Sequence, residues 1–211
     1  MKFNLKEKVI YWDFDGVIVF SESIRDLGFR KSLSQYPEPD VNKLLEFHRI
    51  NGGLSRYVKF NFFFKEILKF DEYNSKLELA LKNYNEFMLV EFVRQNPVNL
   101  NAISFIKKTL KSKKHHLISA SDENELIHIC NELNLTDFFI SINGSPTPKL
   151  NNLQIVTDKY SYSKNNIVYI GDSINDYEAA KTFGCNFFGY NNLALMNETS
   201  NYINFFNEFI V

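Results

Sequence analysis

The 211-residue sequence contains few residues that break or cross-link a chain: 2 cysteines, 5 prolines and 8 glycines. The scarcity of proline and glycine argues against long disordered linkers. The cysteines, Cys130 and Cys185, lie far apart and are expected to be free thiols rather than a disulfide. Folding must therefore rest on a hydrophobic core, and the length allows one core domain with a small companion.

The sequence also lacks a strong net charge and a long apolar segment. Its formal net charge is −1, which offers no broad attraction for nucleic acid or an anionic membrane. No apolar run approaches the ~20 residues of a membrane-spanning helix, and no signal-peptide pattern precedes the first predicted strand. We therefore expect a cytoplasmic protein without a nucleic-acid, membrane or obligate protein partner.

What the sequence does contain is an alternation of predicted strands and helices. Short apolar runs predict strands at "KVIYWDFDG", "HHLISAS", "DFFISING" and "NIVYIGDS", with "NFFGY" a weaker fifth. Helical patterns separate the later runs, which predicts an α/β fold with a parallel sheet and helices on both faces. Residues 20–96 show only helical periodicity and predict an all-helical insert, with residues 1–19 and 97–211 forming the α/β core domain.

Acidic residues follow two of these predicted strands. In "DFDG", Asp13 is a candidate nucleophile, Asp15 a candidate acid and base, and Gly16 allows a sharp turn. In "GDSIND", Asp172 ends a strand and Asp176 opens a helix, so capping alone would explain Asp176. Because the carboxyl ends of parallel strands meet in one crevice, these acids together predict a hard oxygen site suited to Mg²⁺.

Two further segments predict a phosphate site in the same crevice. In "LISAS", the hydroxyl of Ser119 and the amide of Ala120 can donate to a phosphate oxygen, while Ser121 is assigned to cap the next helix. In "GSPTPK", Lys149 is the single cation of a Gly/Ser/Pro loop, although most lysines are solvated surface groups. A cation among the carboxylates, with Lys149 and Ser119 opposite, would let a phosphate approach an anionic nucleophile.

Taken together, these segments strongly resemble the haloacid dehalogenase superfamily, phosphatase branch. "DFDGV", "LISAS", "GSPTPK" and "GDSINDYEAA" stand in the family's order along essentially the whole chain. The resemblance implies a Rossmann-like core with a helical cap, and an aspartyl-phosphate formed by Asp13. It implies that Asp15 protonates the leaving oxygen and then activates water. Mg²⁺ would be held by Asp13, the backbone carbonyl of Asp15 and Asp172, with Asp176 ligating or supporting.

The predicted cap contains "GGLSRY", which is similar to the "G-V-S-R" loop of β-phosphoglucomutases. The resemblance assigns Arg56 to substrate binding, with Lys82 as a weaker match. Gly53 belongs to the same loop, and His48 is a further candidate because it lies on the cap near that loop. Solvated helix charges are the alternative for Arg56 and Lys82. The mutases carry a histidine near the position of Arg25, and its absence here favours simple hydrolysis over phosphoryl transfer between two positions of a sugar.

The sequence therefore predicts a Mg²⁺-dependent phosphatase that hydrolyses a small phosphorylated metabolite such as a sugar phosphate. A β-phosphoglucomutase-like mutase is the first alternative. The second aspartate of "DFDG" argues against the dehalogenase branch. A phospho-accepting receiver domain also uses acids, Ser/Thr and Lys around Mg²⁺, but lacks a helical insert of this size. A catalytically inactive binding module is disfavoured by the complete set of acids.

Overall fold

The fold is built around a six-stranded sheet, as seen in a computed structural model that describes residues 2–210. The strands are β1 (Phe3–Asn4), β2 (Val9–Trp12), β3 (Lys114–Asp122), β4 (Ser141–Ser145), β5 (Ile167–Gly171), β6 (Asn186–Tyr190), β7 (Tyr202–Ile203) and β8 (Phe209–Ile210). The main sheet has the order β4-β3-β2-β5-β6-β7, and β1 pairs with β8 in a separate two-stranded sheet. Every pairing in the main sheet is parallel.

The strands β2 and β5 form the buried centre of the sheet. Every residue of both strands is buried, as expected for apolar runs covered by helices on both faces. Trp12 lies opposite Leu117 of β3 on one side and Ile170 of β5 on the other. The chain leaves β2 toward β3 and β4, then returns to the other side of β2 at β5, and such a reversal of strand order opens a ligand crevice at the carboxyl ends.

Eight α-helices accompany the sheet among residues 2–210. They are α1 (Glu22–Ser32), α2 (Glu38–Ile50), α3 (Arg56–Phe62), α4 (Asn74–Gln95), α5 (Leu100–Thr109), α6 (Glu123–Glu132), α7 (Lys149–Lys159) and α8 (Ile174–Phe183). The first four lie between β2 and β3 and form a helical cap, and a π-helical turn, Phe63–Ile67, follows α3. The predicted α/β class, with a Rossmann-like parallel sheet and an inserted helical cap, is confirmed; the domain boundaries near residues 19 and 97 stay predictions.

Aromatic side chains hold the cap helices against one another. The ring of Tyr84 in α4 lies 4.7 Å from Phe29 of α1 and 5.7 Å from Phe60 of α3. A Cβ at Gly28 would stand 2.3 Å from the terminal methyl of Met88, so α1 and α4 approach closely there. This packing fixes α1 and α3 relative to each other, and both helices carry basic residues that reach the crevice.

Two local features differ from the sequence-based expectation or were outside it. The edge strand β7 and the pair β1–β8 are two residues long, too short for an alternating pattern to show. The helix α6 is capped by Asp122, whose carboxylate accepts a hydrogen bond from the backbone N–H of Glu125 at 3.0 Å, so assigning Ser121 to the cap was wrong. Among residues 2–210, no helix combines the length and apolarity needed to cross a membrane.

Candidate active site

A cavity of about 660 Å³ lies between the carboxyl ends of the central strands and the cap. The predicted site residues on its wall are Asp13, Asp15, His48, Gly53, Arg56, Ser119, Ala120 and Asp172. Lys149 and Asp176 lie beneath this wall, in contact with each other. Lys82 is not brought to the site: its side chain is 70% exposed and lies 3.9 Å from Glu86 on the outside of α4.

Asp13 is buried directly after the central strand β2. Its backbone N–H donates to the carbonyl of Ile170 in β5 at 2.9 Å, which extends the sheet pairing by one residue. Its Oδ1 lies 3.1 Å from Nζ of Lys149, yet no hydrogen bond of good geometry reaches that oxygen from any described residue. Burial and the negative charge of Asp176 raise the pKa of Asp13 well above its usual range, against the opposing effect of Lys149.

Asp15 has hydrogen-bond donors on both carboxylate oxygens. Oδ1 accepts from Ser21 and from Nε of Arg25, while Oδ2 accepts from Nη2 of Arg25 at 3.2 Å and from the hydroxyl of Ser121 at 2.7 Å. Burial by itself would raise the pKa of Asp15, but the charge of Arg25 and these hydrogen bonds outweigh it and lower the pKa to about 2. Asp15 is therefore ionised and fixed in place in this closed arrangement.

Gly16 brings the "DFDG" turn against the loop after β5. Its φ is +75°, in the left-handed region where a side chain is strained. A Cβ on Gly16 would stand 1.8 Å from Oδ2 of Asp172, so the absence of a side chain leaves the space that Asp172 occupies. Gly16 thus allows the left-handed turn and also leaves room for the carboxylate of Asp172.

Both carboxylate oxygens of Asp176 already accept hydrogen bonds from within the protein. Oδ1 accepts from Nζ of Lys149 and lies 3.2 Å from the hydroxyl of Tyr169, and Oδ2 accepts from the backbone N–H groups of Asp172 and Ser173. Ser173 caps α8 by accepting from the backbone N–H of Asp176, which completes a capping box. Asp176 therefore positions Lys149 and the loop that carries Asp172.

The carboxylates fit a divalent cation. One oxygen from each of Asp13, Asp172 and Asp176 lies within 4.8 Å of the others. The side chain of Asp172 has no hydrogen-bond or ion-pair partner within residues 2–210, and burial together with Asp13 and Asp176 raises its pKa well above its usual range. A hard cation that prefers oxygen ligands would relieve this repulsion. The free oxygens belong to Asp13 and Asp172, whereas those of Asp176 are already engaged.

The donors predicted to bind phosphate lie on β3 and at the start of α7. Ser119 is buried at the cavity wall, and its hydroxyl oxygen accepts from the backbone N–H of Ser121 at 3.1 Å, so its own O–H proton is free to be donated. Ala120 lines the same wall. Lys149 is held between Asp13 and Asp176, and although burial opposes it, these two carboxylates raise the pKa of Lys149. Lys149 is therefore a fixed positive charge.

A network of buried charges joins the cap to the core. Glu125 of α6 accepts from Nη1 of Arg25 at 2.6 Å and from Nη1 of Arg56. Nη2 of Arg56 lies 3.4 Å from Oδ1 of Asp122, although neither this nitrogen nor Nε makes a hydrogen bond. Arg56 thus keeps spare N–H groups, but its charge is already balanced by two carboxylates of the core.

The two remaining cap candidates both lie on the cavity wall. The ring of His48 packs 4.9 Å from Phe29, its Nδ1 has no hydrogen-bond partner among the described residues, and burial followed by the charge of Lys59 lowers its pKa to about 2. A Cβ on Gly53 would stand 2.7 Å from Oγ of Ser173, so the cap loop meets the loop after β5. His48 is therefore a neutral group with a free ring nitrogen.

Sequence reasoning missed the partners of these residues. Glu125 looks like an ordinary acid in the first turn of a helix, and nothing local indicates that it joins two arginines. Arg25 stands out in the sequence only as a departure from the mutase pattern, and nothing local marks it as a partner of Asp15. Lys59, a buried lysine on the cavity wall, carried no signal except its position three residues after Arg56.

Comparison with known proteins gives one family match. A family model described as haloacid dehalogenase-like hydrolase matches residues 7–184, which include every candidate site residue. No curated protein shows a significant match to the chain.

Solved structures share the fold over nearly the whole chain. β-Phosphoglucomutase from Clostridium difficile is 17% identical, with a TM-score of 0.76 over 96% of this chain and 92% of that one. A predicted phosphoglycolate phosphatase from Haemophilus somnus 129pt is 14% identical, with a TM-score of 0.77 over 95% of each chain. A haloacid dehalogenase hydrolase from Bacillus subtilis, solved bound to magnesium, is 15% identical, with a TM-score of 0.67 over 88% and 89%. At these identities the likeness concerns the fold.

Proposed function

Because the chain belongs to the haloacid dehalogenase-like hydrolase family, we propose that it is a Mg²⁺-dependent phosphatase acting on a small phosphorylated metabolite. The observation that carries the proposal is that two carboxylates at the end of β2, those of Asp13 and Asp15, have different surroundings. Asp13 presents an oxygen without a hydrogen-bond partner beside Lys149, whereas Asp15 is held ionised by Arg25. One carboxylate is thus placed to attack and the other to exchange a proton.

In the first step, Asp13 attacks the phosphorus atom and the bond to the leaving oxygen breaks. Ser119, the amide of Ala120 and Lys149 bind the phosphoryl oxygens, and Asp15 transfers its proton to the leaving oxygen. Asp13 and Asp172 would hold the cation, with Asp176 orienting Lys149 beside them. A bound Mg²⁺ supplies positive charge that offsets the repulsion between these carboxylates and an incoming phosphate.

In the second step, water attacks the phosphorus of the aspartyl-phosphate while Asp15 accepts its proton. Inorganic phosphate leaves and Asp13 returns as a free carboxylate. Asp15 then holds the proton that the first step of the next cycle consumes, and because Arg25 belongs to the cap, opening of the cap would release Asp15 from its ion pair and let it keep that proton. The arrangement with Asp15 paired to Arg25 and ionised suits the second step.

A metabolite the size of a sugar phosphate suits a cavity of about 660 Å³. Cytoplasmic location and independence from nucleic acid, membrane and obligate protein partners are part of the proposal, in keeping with the small net charge of −1.

The test is phosphate release from a panel of phosphorylated sugars, small acids and nucleotides, with and without Mg²⁺. We expect sustained turnover that stops with excess chelator, and a covalent phosphate that can be trapped on Asp13. Asp13→Asn should abolish release, since loss of a covalent nucleophile costs up to roughly 10⁶-fold. Retention of more than about a tenth of the activity would show that Asp13 is not the nucleophile.

The same assay separates the rival functions. A mutase would convert β-glucose 1-phosphate into an isomer without releasing phosphate, and a receiver domain would stop after one phosphorylation per molecule. Sustained release of phosphate excludes both. The replacement of the mutase histidine by Arg25, which binds Asp15 directly, favours hydrolysis.

A further inference from the structure

Lys59 is a buried lysine on the wall of the site cavity. It lies on α3, is 3% exposed and belongs to the cap. Its Nζ donates to the carbonyl of Gly52 at 3.1 Å, which uses one of the three N–H donors of the ammonium group. Within residues 2–210, no carboxylate oxygen lies within 4.0 Å of this nitrogen. Lys59 therefore has no neighbouring carboxylate and keeps N–H donors for a ligand.

The other arginines and lysines on the cavity wall are already paired. Arg25 is held by Asp15 and Glu125, and Arg56 by Glu125 and Asp122. Arg49 pairs with Asp26 at the outer edge. Lys59 is thus the one basic residue of this wall, within the described chain, whose charge no carboxylate balances.

An unbalanced ammonium group is costly inside a protein. Burial lowers the pKa of Lys59 to about 7, even though the more distant carboxylates of Asp15 and Asp13 act in the opposite direction. An anionic ligand group that entered the cavity would supply the missing counter-charge and two acceptors. Binding of such a group would therefore stabilise the buried ammonium group of Lys59.

We propose that Lys59 binds a second anionic group of the substrate, a carboxylate or a further phosphate, on the side of the leaving group. This inference rests on the proposed phosphatase function. The transferred phosphoryl group has its own donors in the core, Ser119 and Lys149, next to Asp13. Lys59 reaches the cavity from the cap, anchored at the carbonyl of Gly52, and touches none of the four aspartates. A substrate bound in the core therefore presents its remote end to Lys59.

The test compares substrates that differ in one anionic group. One pair is 3-phosphoglycerate and glycerol 3-phosphate, which differ in a carboxylate. The other is fructose 1,6-bisphosphate and fructose 6-phosphate, which differ in a phosphate. We expect the wild-type enzyme to prefer the member with the second anion in at least one pair, and that pair identifies the group. Lys59→Met should lower kcat/KM for this member by about tenfold or more and change its partner little.

Two variants serve as controls. Lys59→Arg keeps the charge and should keep most of the preference, whereas Lys65→Met removes an exposed lysine near the end of α3 and should change nothing. Lys59→Met should also have a higher melting temperature than the wild type, because it removes an unpaired buried charge. A lysine that served only the fold would instead lower the melting temperature when replaced.

Equal losses on both members of a pair, or a wild type without preference in either pair, would overturn the assignment. If no compound releases phosphate, the proposed function fails, and binding decides the role of Lys59 separately. In that case calorimetry with the same four compounds is carried out on Asp13→Asn, with and without Lys59→Met. Tighter binding of the member with the second anion, lost with Lys59→Met, supports the proposal, and equal affinities contradict it.

Discussion

Arg25 of the cap binds both carboxylate oxygens of Asp15 of the core. Nε lies 3.0 Å from Oδ1 and Nη2 lies 3.2 Å from Oδ2. Such forked pairs fix orientation as well as charge. Because the two residues belong to different parts of the molecule, closure of the cap is tied to the ionised state of Asp15. The proposed mechanism has Asp15 protonated and ionised in turn, so the pair would link the cap to the proton cycle.

The first prediction concerns this pair. Arg25→Gln should lower kcat/KM for an alkyl phosphate by about tenfold or more, since general acid catalysis contributes roughly 10²–10⁴-fold and depends on position. The loss on p-nitrophenyl phosphate should be smaller, because p-nitrophenolate leaves without a proton. Steady-state kinetics on both substrates measures the difference.

Arg30→Gln is the matched control, because Arg30 lies on the same helix with a 42% exposed side chain. It should change neither substrate. Parallel losses on both substrates in Arg25→Gln would mean that Arg25 supports the cap as a whole rather than the position of Asp15.

The second prediction concerns Gly16. Gly16→Ala introduces a methyl group that would stand 1.8 Å from Oδ2 of Asp172, so Asp172 must move. We expect loss of Mg²⁺-dependent activity by about tenfold or more, comparable with the effect of disturbing a metal ligand's support. Activity measured across a Mg²⁺ titration should show a weaker apparent affinity for the metal.

Gly184→Ala is the control that separates the effect of a strained left-handed backbone from the effect of a steric clash with Asp172. Gly184 also has a left-handed φ, +87°, but nothing lies within 4 Å of the added methyl group. It should cost roughly 1 kcal/mol of stability and leave the Mg²⁺ dependence unchanged. A Gly16→Ala enzyme with normal Mg²⁺ affinity would show that Asp172 is not where the cation binds.

The positions of the site segments could be predicted because each carries its own local signal. "DFDG" and "GDSIND" follow buried apolar strands, and parallel strands bring their carboxyl ends together whatever the details of packing. The partners of Arg56 carried no such signal. Its contact with Glu125 joins residues 69 positions apart and depends on how the cap docks on α6. The same docking decides that Arg56 is balanced by carboxylates while Lys59, one turn further on, is not.

The third prediction concerns pH and stability. Nδ1 of buried His115 accepts from the indole N–H of Trp12 at 3.0 Å, and Nε2 lies 3.1 Å from the hydroxyl of Thr109. Burial lowers the pKa of His115 from 6.5 to about 4. Between pH 6.5 and 4, His115 binds a proton in the unfolded chain but not in the folded protein. The free energy of unfolding should therefore fall as pH decreases toward 4. One histidine contributes up to about 3 kcal/mol over this window.

His115→Asn should be less stable at pH 7 but less sensitive to pH. Its slope of unfolding free energy against pH, measured by urea denaturation between pH 6.5 and 5, should be smaller by up to about 1.4 kcal/mol per pH unit. His128→Asn, a change on the exposed face of α6, should keep the wild-type slope. An unchanged slope in His115→Asn would mean that His115 is protonated in the folded protein.

The fourth prediction separates a metal ligand from the residue that supports it. Asp172 has a free carboxylate repelled by its neighbours, whereas Asp176 is saturated by Lys149 and two backbone N–H groups. Without metal, Asp172→Asn should therefore be as stable as the wild type or more stable. Asp176→Asn should lose roughly 3 kcal/mol or more, because it breaks a buried ion pair. Chemical denaturation in the presence of a chelator measures both.

Addition of Mg²⁺ should narrow the difference in stability between the two variants. A ligand that binds only the folded state raises its stability, so the wild type should gain stability with Mg²⁺ and Asp176→Asn should keep part of that gain. Asp172→Asn should gain nothing, since it lacks the carboxylate that faces the cation. If Asp172→Asn is stabilised by Mg²⁺ as strongly as the wild type, the cation is not bound through Asp172. If Asp176→Asn alone loses the gain, its engaged oxygens must rearrange to ligate the metal, and Asp176 is then a direct ligand.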